Sequence, residues 1–160
     1  MLTYERLREV LHYSPETGVF TRLVRTSRSV KVGDVAGTVD ASGYIRIRVD
    51  GVLYLAHRIA FLWMTGEWPQ QLVDHINGVR DDNRWSNLRP ATNAENQQNQ
   101  RRAQSSNKLG LLGVTPVGKR FVAQIKVDWR QIHLGTFDTP EQAHDAYIAA
   151  KRRLHSGNTL

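Results

Sequence analysis

Cysteine is missing altogether from the 160 residues. Disulfides and thiolate zinc sites are therefore excluded, and only packing, oxygen and imidazole remain to staple the chain or hold a cation. That suits a reducing interior. Long apolar runs are missing too: no stretch approaches the roughly twenty residues of a membrane span. The opening MLTYERLREVLHYSPETG carries charge where a secretory leader needs its apolar segment. The chain is expected to be soluble and cytoplasmic, with no membrane partner. Aromatic residues make up only 8%, too few for the repeated stacking platforms of single-strand readers, so RNA is disfavoured. With 40% apolar residues the chain can build modest cores but not one large one, and small units are expected.

Positive charge is what the chain has in excess: 22 Lys plus Arg stand against 15 Asp plus Glu, a net +7 and a pI of about 10.1. The excess is not a tail, because residues 1–72, 73–108 and 109–160 carry +2, +2 and +3. A polyanion partner explains this and nucleic acid leads, the plainer account being a basic solvated surface.

Leu2, Leu7, Val10 and Leu11 have helical spacing within residues 2–13, SPETG then signals a turn, and a strand is expected from Val19 to Val24. In YIRIRVDGVLYLA, Ile45, Ile47 and Val49 alternate with Arg46 and Arg48 before Asp50-Gly51, a pair suited to a two-residue hairpin turn. Those two arginines either track phosphates or face solvent. HRIAFLWMTG predicts an apolar helix closed by Gly66, and His57 at its start reads as a hydrogen-bonded structural group.

Asn77, Asn83, Asn87, Asn93, Asn96 and Asn99 crowd into residues 73–99 together with Asp74, Asp81, Asp82 and His75. QLV begins a strand and Asn77-Gly78 signals a turn, which puts Asp74 and His75 at a strand end, their side chains on opposite sides. SNLRPAT makes a short second strand at most. Thr92 and Glu95 have the spacing of a capping box, so a helix follows and contains Asn93, Asn96 and Asn99. Asparagine costs a helix interior roughly 0.5 kcal/mol relative to alanine, so the cluster needs a reason, which ligation or hydrogen bonding supplies. Loop and capping roles alone are the competing account.

Strand, loop, strand, helix with DHINGVRDDNRWSNLR resembles the ββα-metal core of HNH endonucleases of the phage and intron-encoded type. YSPETGVF, GYIRIRVDG and AHRIAFLWMTGEWP extend the resemblance over roughly residues 1–100, the core lying at about 70–100. The resemblance implies that Asp74 and Asn96 hold one divalent metal and that His75 is the general base. It further implies that Asn87 fixes the loop and orients the histidine and that Asn83 braces the loop; Arg46, Arg48, Arg80 and Arg84 are expected to contact DNA. The chemistry agrees: phosphodiester hydrolysis needs a base for water and a cation for the phosphate. Hard oxygen donors suit Mg²⁺ or Mn²⁺.

Polar residues 96–110 are taken as a boundary, with a linker over 101–109. Beyond it Phe121, Ala123, Ile125 and Val127 alternate with Val122, Gln124 and Lys126. Thr139, Pro140 and Gln142 then announce a helix whose Ala143, Ala146, Tyr147, Ala150 and Leu154 form one stripe. GKRFVAQIK and IHLGTFDTPEQAHDAYIAA resemble the Apetala-two (ethylene-response-factor) DNA-binding domain over residues 110–160. That implies a three-stranded sheet on one helix, with Thr115, Arg120, Phe121, Gln124, Lys126, Gln131 and His133 facing DNA. The family's paired arginines in the first hairpin are lacking, so its target sequence does not carry over.

The expected protein is thus α+β: N-terminal hairpins and short helices lead into a ββα-metal core, and a small antiparallel sheet on a helix follows. Its expected role is a metal-dependent endonuclease of double-stranded DNA, of phage or mobile-element homing type, in a bacterial or phage-infected cell, with a monomer favoured. The alternative is a catalytically silent DNA-binding regulator, disfavoured because Asp74, His75 and Asn96 are all present.

Overall fold

The computed structural model describes residues 1–100, 103, 107–155 and 158, in two compact units, Met1–Ala91 and Thr92–Leu160. Among the described residues no helix is long and apolar enough to cross a membrane.

In the first unit Thr3 accepts a hydrogen bond from the Arg6 amide and opens α1 (Tyr4–Val10), which buries Leu7 and Val10. The helical spacing ran on to residue 13, yet Leu11 turns extended and Leu11–Ser14 becomes strand β1. Cross-strand pairing overrides the local pattern: β1 runs antiparallel to β2 (Val19–Arg22), and Tyr13 stacks on its partner Phe20 with ring centroids 4.6 Å apart. β2 stops at Arg22, short of the expected Val24.

β3 (Thr38–Val39), β4 (Ile45–Val49) and β5 (Val52–Leu55) form an antiparallel sheet in that order. Ile47 and Val49 are buried while Arg46 and Arg48 are exposed, as the alternation requires. Asp50 and Gly51, at φ 47° and 82°, make the two-residue turn. α2 (Ala56–Thr65) ends where Gly66 donates its amide to the Leu62 carbonyl. β6 (Leu72–His75) pairs antiparallel with β7 (Leu88–Ala91), and a 3₁₀ turn, Trp85–Asn87, precedes β7. Leu7, Leu11, Tyr13, Phe20, Ile47, Ile59, Leu62, Val73 and Leu88 belong to one buried cluster. Each such side chain contributes roughly 1.5–3 kcal/mol by leaving water, and the cluster ties α2 and the β6–β7 pair to the N-terminal hairpin.

That hairpin also braces the loop before the 3₁₀ turn. The Tyr13 hydroxyl donates to the Asn83 carbonyl at 2.6 Å, and the Trp85 amide donates to the Pro15 carbonyl at 2.9 Å. Gly18, at φ 73°, sits so close that a Cβ would lie 2.4 Å from the backbone of Asn83 and Arg84. Gly18→Ala should therefore destabilise the unit by about 2 kcal/mol or more, combining a strained backbone with a clash that no rotamer relieves. Thermal melts measure the loss, and cleavage assays on the folded fraction should show reduced activity.

In the second unit Thr92 and Glu95 form the reciprocal capping box that opens α3 (Asn93–Gln98). This helix, which the resemblance puts after the β6–β7 pair in a ββα unit, groups with the C-terminal residues. The expected linker falls partly outside the described residues. β8 (Val114–Val117), β9 (Arg120–Val127) and β10 (Arg130–Phe137) form an antiparallel sheet with β9 central. α4 (Pro140–Leu154) follows, with Thr139 accepting from the Gln142 amide. Ala143 and Ala150 on the helix and Ala123 and Ile125 on β9 are buried. Small residues on both elements let helix and sheet approach closely. Buried Lys151 donates from α4 to the Gln100 carbonyl.

Candidate active site

β6 ends on two buried polar residues, Asp74 (7% exposed) and His75 (4%), whose partners across the strand pair are Arg89 and Leu88. Alternation sends the two side chains to opposite faces. Arg89 reaches Asp74 Oδ2 with both Nε and Nη2, at 3.2 and 3.0 Å. A carboxylate this deeply buried needs such a counter-charge.

The imidazole is set by the loop. His75 Nε2 lies 3.1 Å from Asn83 Oδ1, while Asn83 Nδ2 donates to the Asp81 carbonyl. With its amide committed in that sense, Asn83 accepts from the ring, so the hydrogen sits on Nε2 and the basic lone pair on Nδ1. Asn87 works elsewhere: its Oδ1 accepts from the Asn77 amide, and its Nδ2 donates to Asn77 Oδ1 and to the Asp82 carbonyl at 2.7 Å. Asn77 in turn accepts from the Val79 amide and donates to Asp82 Oδ2. Three asparagines thus occupy three posts: Asn83 against the ring, Asn87 across the loop, Asn77 within its turn.

Burial pushes His75 below the usual imidazole range, against the pull of Asn83, Asp74, Asp82 and Asp81. Asp82 is held down at about 2, chiefly by the Arg84 guanidinium, which meets both carboxylate oxygens at 2.8 and 2.6 Å.

His57 is the residue sequence reasoning undervalued. From the first turn of α2 its ring stands edge-on to that of His75 with centroids 5.0 Å apart, and Tyr44 tilts against it at 5.3 Å. It is 5% exposed, and its Nδ1 has no hydrogen-bond partner. Burial first, then the neighbouring His75 and Arg58, push its pKa down to about 3. A neutral imidazole therefore stands beside the candidate base. Linkage gives a stability prediction: the folded state keeps His57 unprotonated to about pH 3, whereas the unfolded chain takes the proton near pH 6.5. The associated stability is intact above 6.5 and drains away as pH falls toward 3. His57→Phe should flatten that part of the slope by an amount on the order of a few kcal/mol, measured by urea unfolding at stepped pH.

The remaining expected contacts are placed as follows. Arg46 is paired with Asp40 at 2.6 Å, and Arg48 donates to the Gly51 carbonyl. Arg80 donates to the Ser42 carbonyl and lies 5.0 Å over the Tyr44 ring. Asn96 is exposed on α3, in the other unit. In the C-terminal sheet the register aligns Thr115, Arg120, Gln124, Lys126, Gln131 and His133 on one face. Phe121 lies on the opposite face, against the buried cluster of Val114, Ala123 and Ala143.

Among the described residues no three His, Cys, Asp or Glu side chains gather as a ready metal site. An ion at Asp74 would rest on few protein oxygens plus water and phosphate, a donor set that fits a hard, partly hydrated cation rather than zinc.

Residues 54–98 match the family model for HNH endonucleases, a span from β5 through α3 that contains His57, Asp74, His75, Asn83, Asn87 and Asn96. No curated protein and no solved structure gives a significant match.

Proposed function

We propose that the chain, an enzyme whose HNH endonuclease segment marks it as a DNA-cleaving hydrolase, cuts double-stranded DNA with His75 as general base and one divalent ion near Asp74. One observation carries this reading: a buried imidazole whose Nε2 lies 3.1 Å from Asn83 Oδ1, beside a buried carboxylate. His75 Nδ1 takes the proton of the attacking water, and the depressed pKa keeps the ring unprotonated at neutral pH. Asn83 and the Asn77–Asp82–Asn87 brace hold the ring in that tautomer while charge develops on it. Asp74 and Asn96, the resemblance suggests, hold the cation, Mg²⁺ or Mn²⁺. When bound it would neutralise charge on the phosphate oxygens and the departing oxygen.

The C-terminal unit, in this reading, is an Apetala-two-like module that adds affinity through its polar sheet face, while Arg46, Arg48, Arg80 and Arg84 meet the backbone near the cut. Such a pairing of nuclease and reader fits a phage or mobile-element setting. Supercoiled plasmid incubated with the full chain should be nicked or linearised with Mg²⁺ and left intact with EDTA. Tight binding without any cutting under all divalent ions would return the chain to the regulator class.

A further inference from the structure

Two hairpins in this protein are closed by two-residue turns that begin with aspartate at φ 47°. In the first, Asp50 is followed by Gly51 at φ 82°. In the β9–β10 turn Asp128 is followed by Trp129 at φ 66°. Both turns have positive φ at both central positions, which glycine tolerates freely in the second place and a bulky side chain adopts only under strain. Burial repays little of that strain: Trp129 is 85% exposed, and the Lys126 ammonium lies 4.8 Å above its ring. Strain held at an exposed position points to a role outside folding.

The surroundings say which. Lys126 shares the open sheet face with Gln124, Gln131 and His133, whereas Arg130, paired with Val127, belongs to the other face. The ring therefore extends a polar, cationic face at its tip, and its cation–π partner is the first lysine of that face. A flat aromatic with a cation against it matches a nucleotide, whose sugar and base are apolar and whose phosphates are anionic. A two-stranded ribbon is also narrow enough for the major groove.

We propose that Trp129 is a DNA contact, its ring packing on the apolar surface of a duplex nucleotide while Lys126 meets the adjoining phosphate. This rests on the reading of the C-terminal sheet as a DNA-binding face and extends it to the turn.

The test is Trp129→Gly, which restores the Asp-Gly turn of the first hairpin. It should leave the melting temperature of the full chain unchanged or higher, because the strain is gone. It should weaken binding to a labelled random-sequence duplex of about 30 base pairs, in EDTA to prevent cutting, by roughly ten-fold or more. The slope of log affinity against log salt should stay the same, since no phosphate contact is lost. Lys126→Ala should instead lower that slope by about 0.9, and Trp129→Phe should retain most of the affinity. Wild-type binding by Trp129→Gly, with the slope still falling in the lysine variant, would overturn the tryptophan contact and leave the DNA-binding face standing. Wild-type binding and slope in both would sink the face itself. A lower melting temperature would make the ring structural, and a loss confined to single-stranded DNA would overturn the duplex assignment.

Discussion

His75→Ala should lose 10²- to 10⁴-fold in cleavage rate, the usual effect of removing a general base, while binding DNA within a few-fold of the parent. The imidazole contributes no cation to a phosphate: burial holds it neutral, and Nε2 is occupied by Asn83. The same depression fixes the pH behaviour. A base must be unprotonated to work, and its pKa lies below 6.5, so the rate should be level through neutral pH and fall only on the acid side. Single-turnover rates on plasmid between pH 5 and 8 check both statements. A variant that cut like the parent would remove His75 from the chemistry. Asn83→Ala offers a graded companion: the base remains but its tautomer is no longer imposed, so activity should drop less than on losing the ring.

Asp74→Asn and Asn96→Ala should each weaken divalent-ion binding and abolish cleavage at ordinary Mg²⁺, because a site with so few protein oxygens cannot lose one and still hold the ion against water. Asparagine is the better replacement at 74, since it keeps the shape and an acceptor for Arg89 in a place only 7% exposed. Asn96 is exposed on α3, where alanine is the stronger helix former, so its loss should not cost folding. The proper control is Asn93→Ala, likewise exposed near the start of the helix, rather than Asn99, which caps the helix and is 4% exposed. Calorimetry with Mn²⁺ gives affinities for all three variants. Unchanged affinity in both Asp74→Asn and Asn96→Ala would make the cluster structural.

What could be read from the chain alone was what a few neighbouring residues decide. The Asp50-Gly51 turn, the Thr92–Glu95 capping box and the Thr139-Pro140 helix start formed as expected because each is closed within one turn of backbone. What could not be read depends on which distant elements meet. His57 is 18 positions before His75, and nothing local reveals that α2 brings the two rings to 5.0 Å. The Asp74–Arg89 pair follows from the β6–β7 register, legible only once both strand ends are known. The division of labour between Asn83 and Asn87 is subtler. Both lie in one loop, and which amide reaches the ring depends on how Tyr13 and Gly18 press that loop from outside. Phe121 followed its own alternation into the sheet's core side, whereas the resemblance alone set it toward DNA.

The bracing of the loop by the N-terminal hairpin bears on how this nuclease can be cut down for use as a fusion partner. The stretch that carries the family signature begins at residue 54, but the peptide bearing Asn83 is clasped by the Tyr13 hydroxyl, the Pro15 carbonyl and the bare Cα of Gly18. Excising the signature by itself would discard the clamp that aims the histidine, and a cargo grafted into the turn at Gly18 would pry it open. The serviceable splice point is instead the exposed run around residues 25–29, between β2 and β3, where the Arg25 guanidinium bonds back to the Ser27 and Arg28 carbonyls.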